Sequence, residues 1–190
     1  SNAWQTTGPE IPTGLNAITG SPENTTEPDI WAVGNNGAMV HGNGSTWIQT
    51  GRGFTSDLQA VWGTTETDIW AAGASGTLLH SDGNNWRKFD SPTVGTITGL
   101  HGTGPNDVWA VDIAGNVLHY NGTAWSLDAQ MPDTNLRAVL TDPTGSIYMV
   151  GTRSSGGVFL RRNTSGTIET LRASNGTLRA LWRDGNGKLW

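Results

Sequence analysis

The stretch Asp68-Ile69-Trp70-Ala71-Ala72-Gly73 occurs in three further versions, each 39 residues from the next. The earlier version is Asp29–Gly34, and the later ones begin at Asp107 and Ser146. Its apolar centre has no polar break, which is typical of a strand buried on both faces. A fixed period of about 40 residues around such a strand predicts a repeated β unit.

The flanking residues keep the same period and extend the unit to four strands. Leu58–Gly63 predicts a strand before the quoted stretch, and related segments begin at Leu15, Ile97, Leu136 and Leu178. A third strand ends near His80, and Trp86 marks a fourth strand in a Gly-x-x-Trp pattern that recurs at Trp47 and Trp125. Several strands in each period of about 40 residues are the pattern of a propeller blade. We therefore predict an all-β, β-propeller fold of four-stranded antiparallel blades with almost no helix.

The repeat divides the chain into four units and a partial fifth. We predict blades at approximately 15–50, 58–89, 97–129 and 136–172, a partial blade at 178–190, and a lone fourth strand at 4–8. Residues 1–3 are typical of the scar of a cleaved expression tag, so the domain is taken as 4–190. Propellers commonly complete one blade from both termini. We therefore expect at least five blades in the complete ring, and self-association through the incomplete blade.

Two local features predict turn chemistry. Asp82-Gly83, like Asn43-Gly44 and Asn121-Gly122, is a dipeptide that favours a type I′ hairpin turn, in which both residues have positive φ. The aspartates that begin the second strands are expected to accept hydrogen bonds from turn amides; they are Asp29, Asp68 and Asp107.

Composition excludes several classes of function. The net charge is −5 with only two lysines, so no basic footprint for DNA or RNA is present. No apolar run approaches the roughly 20 residues of a membrane helix. The absence of cysteine excludes disulfides and thiolate chemistry. The chain has 27 glycines and ten tryptophans, a mixture typical of extracellular, periplasmic or cell-surface β proteins, where we expect this one.

The histidines and tryptophans are expected to be structural. His41, His80 and His119 occupy one position of the repeat, on a strand far from the axis, so they cannot converge to the ~4 Å that metal coordination requires. His101 replaces Trp62 at a packing position. The tryptophans fall on three repeat positions, as expected of wedges between blades. We expect no metal and no cofactor.

The chain contains no recognisable catalytic motif. Gly-x-Ser-x-Gly, His-Glu-x-x-His and phosphate-binding glycine loops are all absent from the sequence. We therefore favour a non-catalytic binding or scaffolding propeller. The alternative is a glycoside hydrolase or lyase, which needs two carboxylates within about 10 Å of each other. Asp57 and Asp133 are the two acids in suitable loops.

One rim is the predicted binding surface, for a protein or a glycan. The loops from fourth to first strands and from second to third strands share this rim, which also includes residues 92–95. Phe54 and Met131 are large apolar residues in polar loops, so each is either an anchor for a partner or tucked under its own loop. The predicted ligand-binding residues are Arg52, Phe54, Asp57, Met131, Asp133 and Arg153.

From Trp4 to Trp190 the unit resembles bacterial propeller repeats of the neuraminidase-repeat (Asp-box) and photosystem-assembly-factor-like kinds. It is also similar to tectonin-type lectin propellers, which share the Gly-x-x-Trp before the fourth strand. The resemblance implies a propeller with a protein- or carbohydrate-binding role.

The Asp-box is incomplete, because Ser81 occupies its aspartate position. Sialidase-like chemistry needs a tyrosine–glutamate pair and three clustered arginines. Since the only tyrosines are Tyr120 and Tyr148, both at repeat positions, that chemistry is not carried over.

Overall fold

The computed structural model describes residues 14–20, 29–43 and 46–190, and these form four sheets of four antiparallel strands. Blade I contains β1 (Leu15–Gly20), β2 (Ile30–Gly34), β3 (Met39–Gly42) and β4 (Trp47–Gln49). Blade II contains β5 (Leu58–Thr65), β6 (Asp68–Gly73), β7 (Leu78–Ser81) and β8 (Trp86–Lys88). Blade III contains β9 (Ile97–Gly104), β10 (Asp107–Asp112), β11 (Asn116–Tyr120) and β12 (Trp125–Gln130). Blade IV contains β13 (Asn135–Thr141), β14 (Ile147–Arg153), β15 (Gly156–Arg162) and β16 (Ile168–Ser174).

The predicted all-β propeller architecture is confirmed. Helix within the described residues is limited to two short 3-10 turns, Asn35–Gly37 and Ala74–Gly76. No helix in this part of the chain is long and apolar enough to cross a membrane. After blade IV, Trp182 and Trp190 exchange two backbone hydrogen bonds of 3.1 and 2.8 Å, which begins a further hairpin.

The first strands lie innermost, because β1 contacts β5, β5 contacts β9 and β9 contacts β13. Successive strands within a blade run in opposite directions. The loops from fourth to first strands therefore share one end of the ring with the turns from second to third strands. We call this end the upper rim, and the opposite end the lower rim.

The hydrophobic core consists of three clusters, one at each interface between consecutive blades. Trp70 and Ala72 share a cluster with residues of blade III, whereas Ile69 and Ala71 share one with residues of blade I. Because neighbouring residues of a strand point to opposite faces, the second strand of blade II contributes to two interfaces. This explains why every residue of β6 is buried, and why its sequence has no polar break.

The tryptophans of the second strands are the largest side chains at these interfaces, as the sequence predicted. Trp70 is fully buried, and Trp31 and Trp109 are nearly so. Burial of 150–250 Å² of apolar surface stabilises the fold by roughly 4–6 kcal/mol for each such ring.

The turn between β7 and β8 is not the predicted type I′ hairpin. Gly83 has a positive φ of 91°, but Asp82 does not, whereas a type I′ turn needs both. The Asp82 carboxylate instead accepts hydrogen bonds from the amides of Asn84 (3.0 Å) and Asn85 (2.8 Å). This side-chain turn supplies the reversal that the dipeptide was expected to supply. Asn121 forms the same turn in blade III, and Gly44 lies outside the described residues.

Asp68 and Asp107 bond to side chains, so the expectation of turn amides was wrong for these two, whereas the turn before Asp29 lies outside the described residues. Asp68 accepts hydrogen bonds from Thr64 (2.5 Å) and contacts His80 Nε2 at 2.8 Å. His80 lies directly opposite Trp70 in the β6–β7 register, within reach of the carboxylate at the start of β6. Equivalent contacts join Asp107 to His119 at 2.8 Å and Asp29 to His41. The histidine stacks on the tryptophan in blades I and III, at ring distances of 4.0 and 4.1 Å.

The Asp68 contacts couple blade stability to pH. Burial raises the pKa of this carboxyl, whereas the hydrogen bonds to His80 and Thr64 lower it. The lowering is the larger effect, so the pKa in the folded protein is below the ordinary 3.8. Such a group stabilises the fold fully above its unfolded-state pKa, and this contribution is lost as the pH falls through the folded-state pKa.

We expect Asp68→Asn to lower the free energy of unfolding by about 2 kcal/mol at neutral pH, because it weakens charge-assisted hydrogen bonds. The difference from the wild type should shrink in acid below about pH 4. Urea denaturation followed by tryptophan fluorescence, at neutral and acidic pH, measures both quantities. Asp90→Asn, at an exposed aspartate, is the control and should have little effect. A deficit that is equal at both pH values would contradict the coupling.

Candidate functional site: the upper rim

The loops and turns of the upper rim are joined by backbone hydrogen bonds. The Ala74 amide bonds to the Asp57 carbonyl at 2.8 Å, and the Ile113 amide to the Thr96 carbonyl at 3.1 Å. The Met131 amide bonds to the Gly115 carbonyl at 2.7 Å. Each bond ties a loop that enters a first strand to a turn between second and third strands. The rim therefore presents side chains from ordered backbone.

The six predicted ligand-binding residues lie in two separate sectors of this rim. Arg52, Phe54 and Asp57 belong to the loop between blades I and II. Met131 and Asp133 belong to the loop between blades III and IV, and Arg153 ends β14 beside it. The loop of residues 89–96 lies between the two sectors. The structure therefore does not gather the six into one site, and it places Asp57 and Asp133, the acids of the hydrolase alternative, in different sectors.

Two of the four polar members of this set, Asp57 and Arg153, have local partners. The Asp57 carboxylate accepts a hydrogen bond from the Asn36 amide at 2.8 Å. Arg153 is half-buried and donates from Nε to Thr134 Oγ1 at 2.9 Å. Arg52 and Asp133 are exposed, and Asp133 has a positive φ of 59°. These contacts stabilise the loops, and Arg52, Asp57 and Asp133 are the exposed charges of the set.

Phe54 and Met131 are half-buried and contribute to the interfaces between blades. Phe54 packs against the cluster that contains Trp31 and Met39. Met131 packs against the cluster that contains Trp109. This packing favours the alternative in which each residue is tucked under its own loop.

Within the described residues, the most exposed apolar side chain of the upper rim lies in the sector that the predicted set omits. Val94, in the loop between blades II and III, is 90% exposed, and Ile113, in the adjacent turn, is 40% exposed. The Ile113–Thr96 backbone bond holds the loop and the turn together. We call Val94 and Ile113 the rim patch. The sequence placed residues 92–95 on this rim but gave no reason to prefer Val94 to Phe54.

A buried carboxylate fixes the loop that carries Val94. Asp112 is fully buried, and its Oδ1 accepts hydrogen bonds from the amides of Ala114 (2.9 Å) and Asn116 (2.8 Å). Its Oδ2 accepts hydrogen bonds from Thr93 Oγ1 (2.7 Å) and Asn116 Nδ2 (2.7 Å). Four donors satisfy a charge whose burial would otherwise be very costly. Thr93 precedes Val94, so the network positions the patch directly.

The sequence carried a signal for this network. Asp112 stands where blades I and II have Gly34 and Gly73, so it departs from the repeat. The adjacent loop accommodates it with a glycine, since a Cβ on Gly95 would lie 2.5 Å from Asp112 Oδ2.

Three histidines and their carboxylate partners lie towards the lower rim, namely His41, His80 and His119. A groove of about 310 Å³ there is lined by Asp29, His41 and Glu66, among others. His41 and Asp29 are already paired with each other. Within the described residues, no three histidine or acidic side chains are grouped in a way that could hold a metal ion. The groove of the lower rim therefore lies beside a structural Asp–His contact.

Comparison of the sequence with known families finds no matching family model, and no curated protein matches it significantly. Solved structures do resemble the fold. YCF48 bound to D1 peptide has a TM-score of 0.70 and 20% identity over 95% of this chain and 61% of that one. A streptogramin B lyase has a TM-score of 0.80 and 16% identity over 96% and 63%, respectively. The WD40 repeats of RRP9 have a TM-score of 0.75 and 8% identity over 91% and 55%.

These neighbours establish a β-propeller, and at such low identity they establish the fold alone. They include a protein that binds a peptide and a protein named as a lyase, so the fold does not choose between binding and catalysis. This chain spans between 55% and 63% of the three structures. The resemblance to neuraminidase-repeat and tectonin propellers stays a prediction.

We expect Asp112→Asn to lower the free energy of unfolding by about 2 kcal/mol, because one carboxylate oxygen becomes an amide group facing two donors. Amide hydrogen exchange in residues 93–96 should accelerate, since Thr93 loses its acceptor. Chemical denaturation and exchange mass spectrometry measure the two effects. Asp133→Asn, at an exposed position, is the control. Unchanged exchange in residues 93–96 would show that Asp112 does not fix the loop.

Phe54→Ala or Met131→Ala should each cost about 2 kcal/mol of stability, because each removes part of an interface between blades. Val94→Ser should cost less than about 0.5 kcal/mol, as expected of an exposed position. Urea denaturation of the three variants compares them directly. If Phe54→Ala and Met131→Ala are as stable as the wild type, both residues are free to serve as the anchors that the sequence suggested.

Proposed function

We propose that this chain is a non-catalytic binding propeller that engages a protein partner through the rim patch. The proposal depends on one observation, the exposure of Val94 on a loop that the buried Asp112 carboxylate holds in place. When a partner covers an apolar side chain that is exposed to water, the free energy falls and the complex is stabilised. A loop that is already ordered loses little conformational entropy on binding.

The chemistry of the patch favours a peptide over a glycan. Val94 and Ile113 are aliphatic, whereas stacking on a sugar ring needs an aromatic face. The aromatic side chain of the loop between blades I and II, Phe54, is half-buried against the core. An aliphatic patch suits the apolar side chain of a peptide. YCF48, a structural neighbour, is a propeller bound to a peptide.

The proposal has three further parts. The composition favours an extracellular, periplasmic or cell-surface location. The placement of Asp57 and Asp133 in different sectors gives a glycoside hydrolase or lyase no specific support. Self-association is proposed through the faces of blades rather than through the rim, because large apolar side chains are exposed there.

Selection from a displayed library of random peptides tests the binding proposal. Selected peptides should contain apolar residues and bind the Val94→Ser/Ile113→Ser double variant at least about tenfold more weakly, a loss of ~1.4 kcal/mol. Leu127→Ser is the matched control, because Leu127 is also apolar and exposed but lies on β12, away from the rim. The control should bind with unchanged affinity.

Glycan arrays and a glycosidase panel examine the alternatives with the same protein. Binding to glycans without enrichment of peptides would overturn the choice of a protein partner. Turnover of any glycoside would overturn the non-catalytic assignment. Peptides that bind the double variant as well as the wild type would show that the partner site lies elsewhere.

A further inference from the structure

The groove of the lower rim lies between blades I and II. Blade I contributes His41 and Ile48, and the turns of blade II contribute Glu66, Thr67 and Asn84. The groove has two halves, of about 310 and 320 Å³, and both are bordered by His41 and Glu66. Each volume is at the lower end of the range for ligand sites, so the groove is large enough for one side chain of a partner.

Glu66 supplies the groove with a carboxylate that is available to a ligand. It is exposed in the turn between β5 and β6, and it forms no hydrogen bond or ion pair with any described residue. The other carboxylate of the groove, that of Asp29, is paired with His41. The position of Glu66 holds Pro105 in blade III and Thr144 in blade IV, so the fold of a blade does not require an acid there.

Ile48 adds an exposed aliphatic surface to the same groove. It is 61% exposed, and it stands where blades II and III have Arg87 and Ser126. The two residues of the groove that depart from the repeat are thus a carboxylate and an aliphatic side chain. Together they match a side chain with an apolar stem and a cationic head, as in lysine and arginine.

The imidazole of His41 favours arginine over lysine. One of its faces stacks on Trp31, with 4.0 Å between the ring centroids and 12° between the planes. The remaining surface of the ring borders the groove. A guanidinium is planar and stacks on aromatic faces, whereas the ammonium of lysine acts as a point charge.

The interface between blades III and IV holds an arginine of the chain itself in a comparable setting. Arg162 Cζ lies 4.8 Å from the ring centroid of Trp109, which is the repeat equivalent of Trp31. The guanidinium donates to both carboxylate oxygens of Asp128, each at 2.7 Å. In blade II the position of Arg162 is occupied by Ser81, which carries no charge. The described residues that line the groove between blades I and II include an aromatic stack and a carboxylate but no guanidinium.

We infer that the groove of the lower rim binds the side chain of an arginine in a peptide segment of a protein partner. The guanidinium forms an ion pair with Glu66 and stacks on His41, and the methylene stem packs on Ile48. The net charge of −5 favours the approach of a basic segment. This site lies at the opposite end of the ring from the rim patch, so the inference goes beyond the proposed function and does not depend on it.

The peptide acetyl-Gly-Arg-Gly-amide is the probe that tests this inference. Nuclear magnetic resonance titration of the labelled protein at about pH 8, where imidazole is ordinarily neutral, measures its binding. We expect a dissociation constant in the millimolar range, with shifts concentrated at His41, Ile48 and Glu66. The citrulline peptide keeps the shape of the probe without its charge, and it should bind at least about tenfold more weakly. The lysine peptide should bind more weakly than the arginine peptide, because it cannot stack.

Variants of the groove are compared with a matched control. Glu66→Gln should weaken binding of the arginine peptide at least about tenfold, and Ile48→Ser about threefold. Asp90→Asn removes the same charge from an exposed loop that follows β8, at the upper rim, and should leave binding unchanged. The Val94→Ser/Ile113→Ser double variant should also bind normally, so failure of the rim patch is seen independently. Thermal unfolding verifies that each variant is folded.

Four outcomes would overturn the inference. Equal binding of the arginine and citrulline peptides shows that no carboxylate recognises the charge. Unchanged affinity in Glu66→Gln places the contact elsewhere. Equal binding of the lysine peptide removes the role of the His41 stack. If N-acetylglucosamine shifts the residues of the groove in a parallel titration and the arginine peptide does not, the groove is a sugar site.

Discussion

The contact between a second-strand tryptophan and the first strand of the next blade is the interaction on which the rest of the structure depends. A single four-stranded sheet has two apolar faces and cannot bury either one alone. Trp31, Trp70 and Trp109 each close one interface, and the three core clusters coincide with these interfaces. Stability therefore comes from neighbouring blades, and a change in one tryptophan affects two sheets.

Asp–His pairs hold two of these tryptophans, Trp31 and Trp109, in position from within their own blades. In blades I and III the histidine stacks on the indole, and the aspartate accepts a hydrogen bond from the indole N–H, at 3.1 Å to Asp29 and 3.0 Å to Asp107. Blade IV replaces the set, since Tyr148 lies opposite Arg161, which forms an ion pair with Glu169 at 2.5 Å. The same position of the repeat thus accepts either an Asp–His pair or an Arg–Glu pair, provided that a large ring faces the next blade.

The sequence predicted the fold well because the period and the unbroken apolar strands report directly on packing between blades. It failed where a side chain chooses between partners. Asp68 could reach turn amides or His80, and only the register of β6 with β7 places His80 within 2.8 Å. The exposure of Val94 was equally unpredictable from the sequence, because it depends on how residues 93–96 turn over the Asp112 carboxylate. Neither the register of β6 with β7 nor the turn of residues 93–96 can be derived from composition and spacing.

Asp112 also shows why departures from a repeat deserve more weight than the repeat itself. Glycine at this position in blades I and II needs no partner beyond the backbone, whereas a buried carboxylate requires four donors from the turn and the adjacent loop. The adjacent loop has room for the carboxylate because residue 95 is glycine, and a Cβ at that position would lie 2.5 Å from Asp112 Oδ2. Blades I and II form their turns with a glycine at this position, and Val94 is 90% exposed and contributes little to packing between blades. The presence of Asp112 and Val94 together, at one sector of one rim, is the physical reason to look for the partner there.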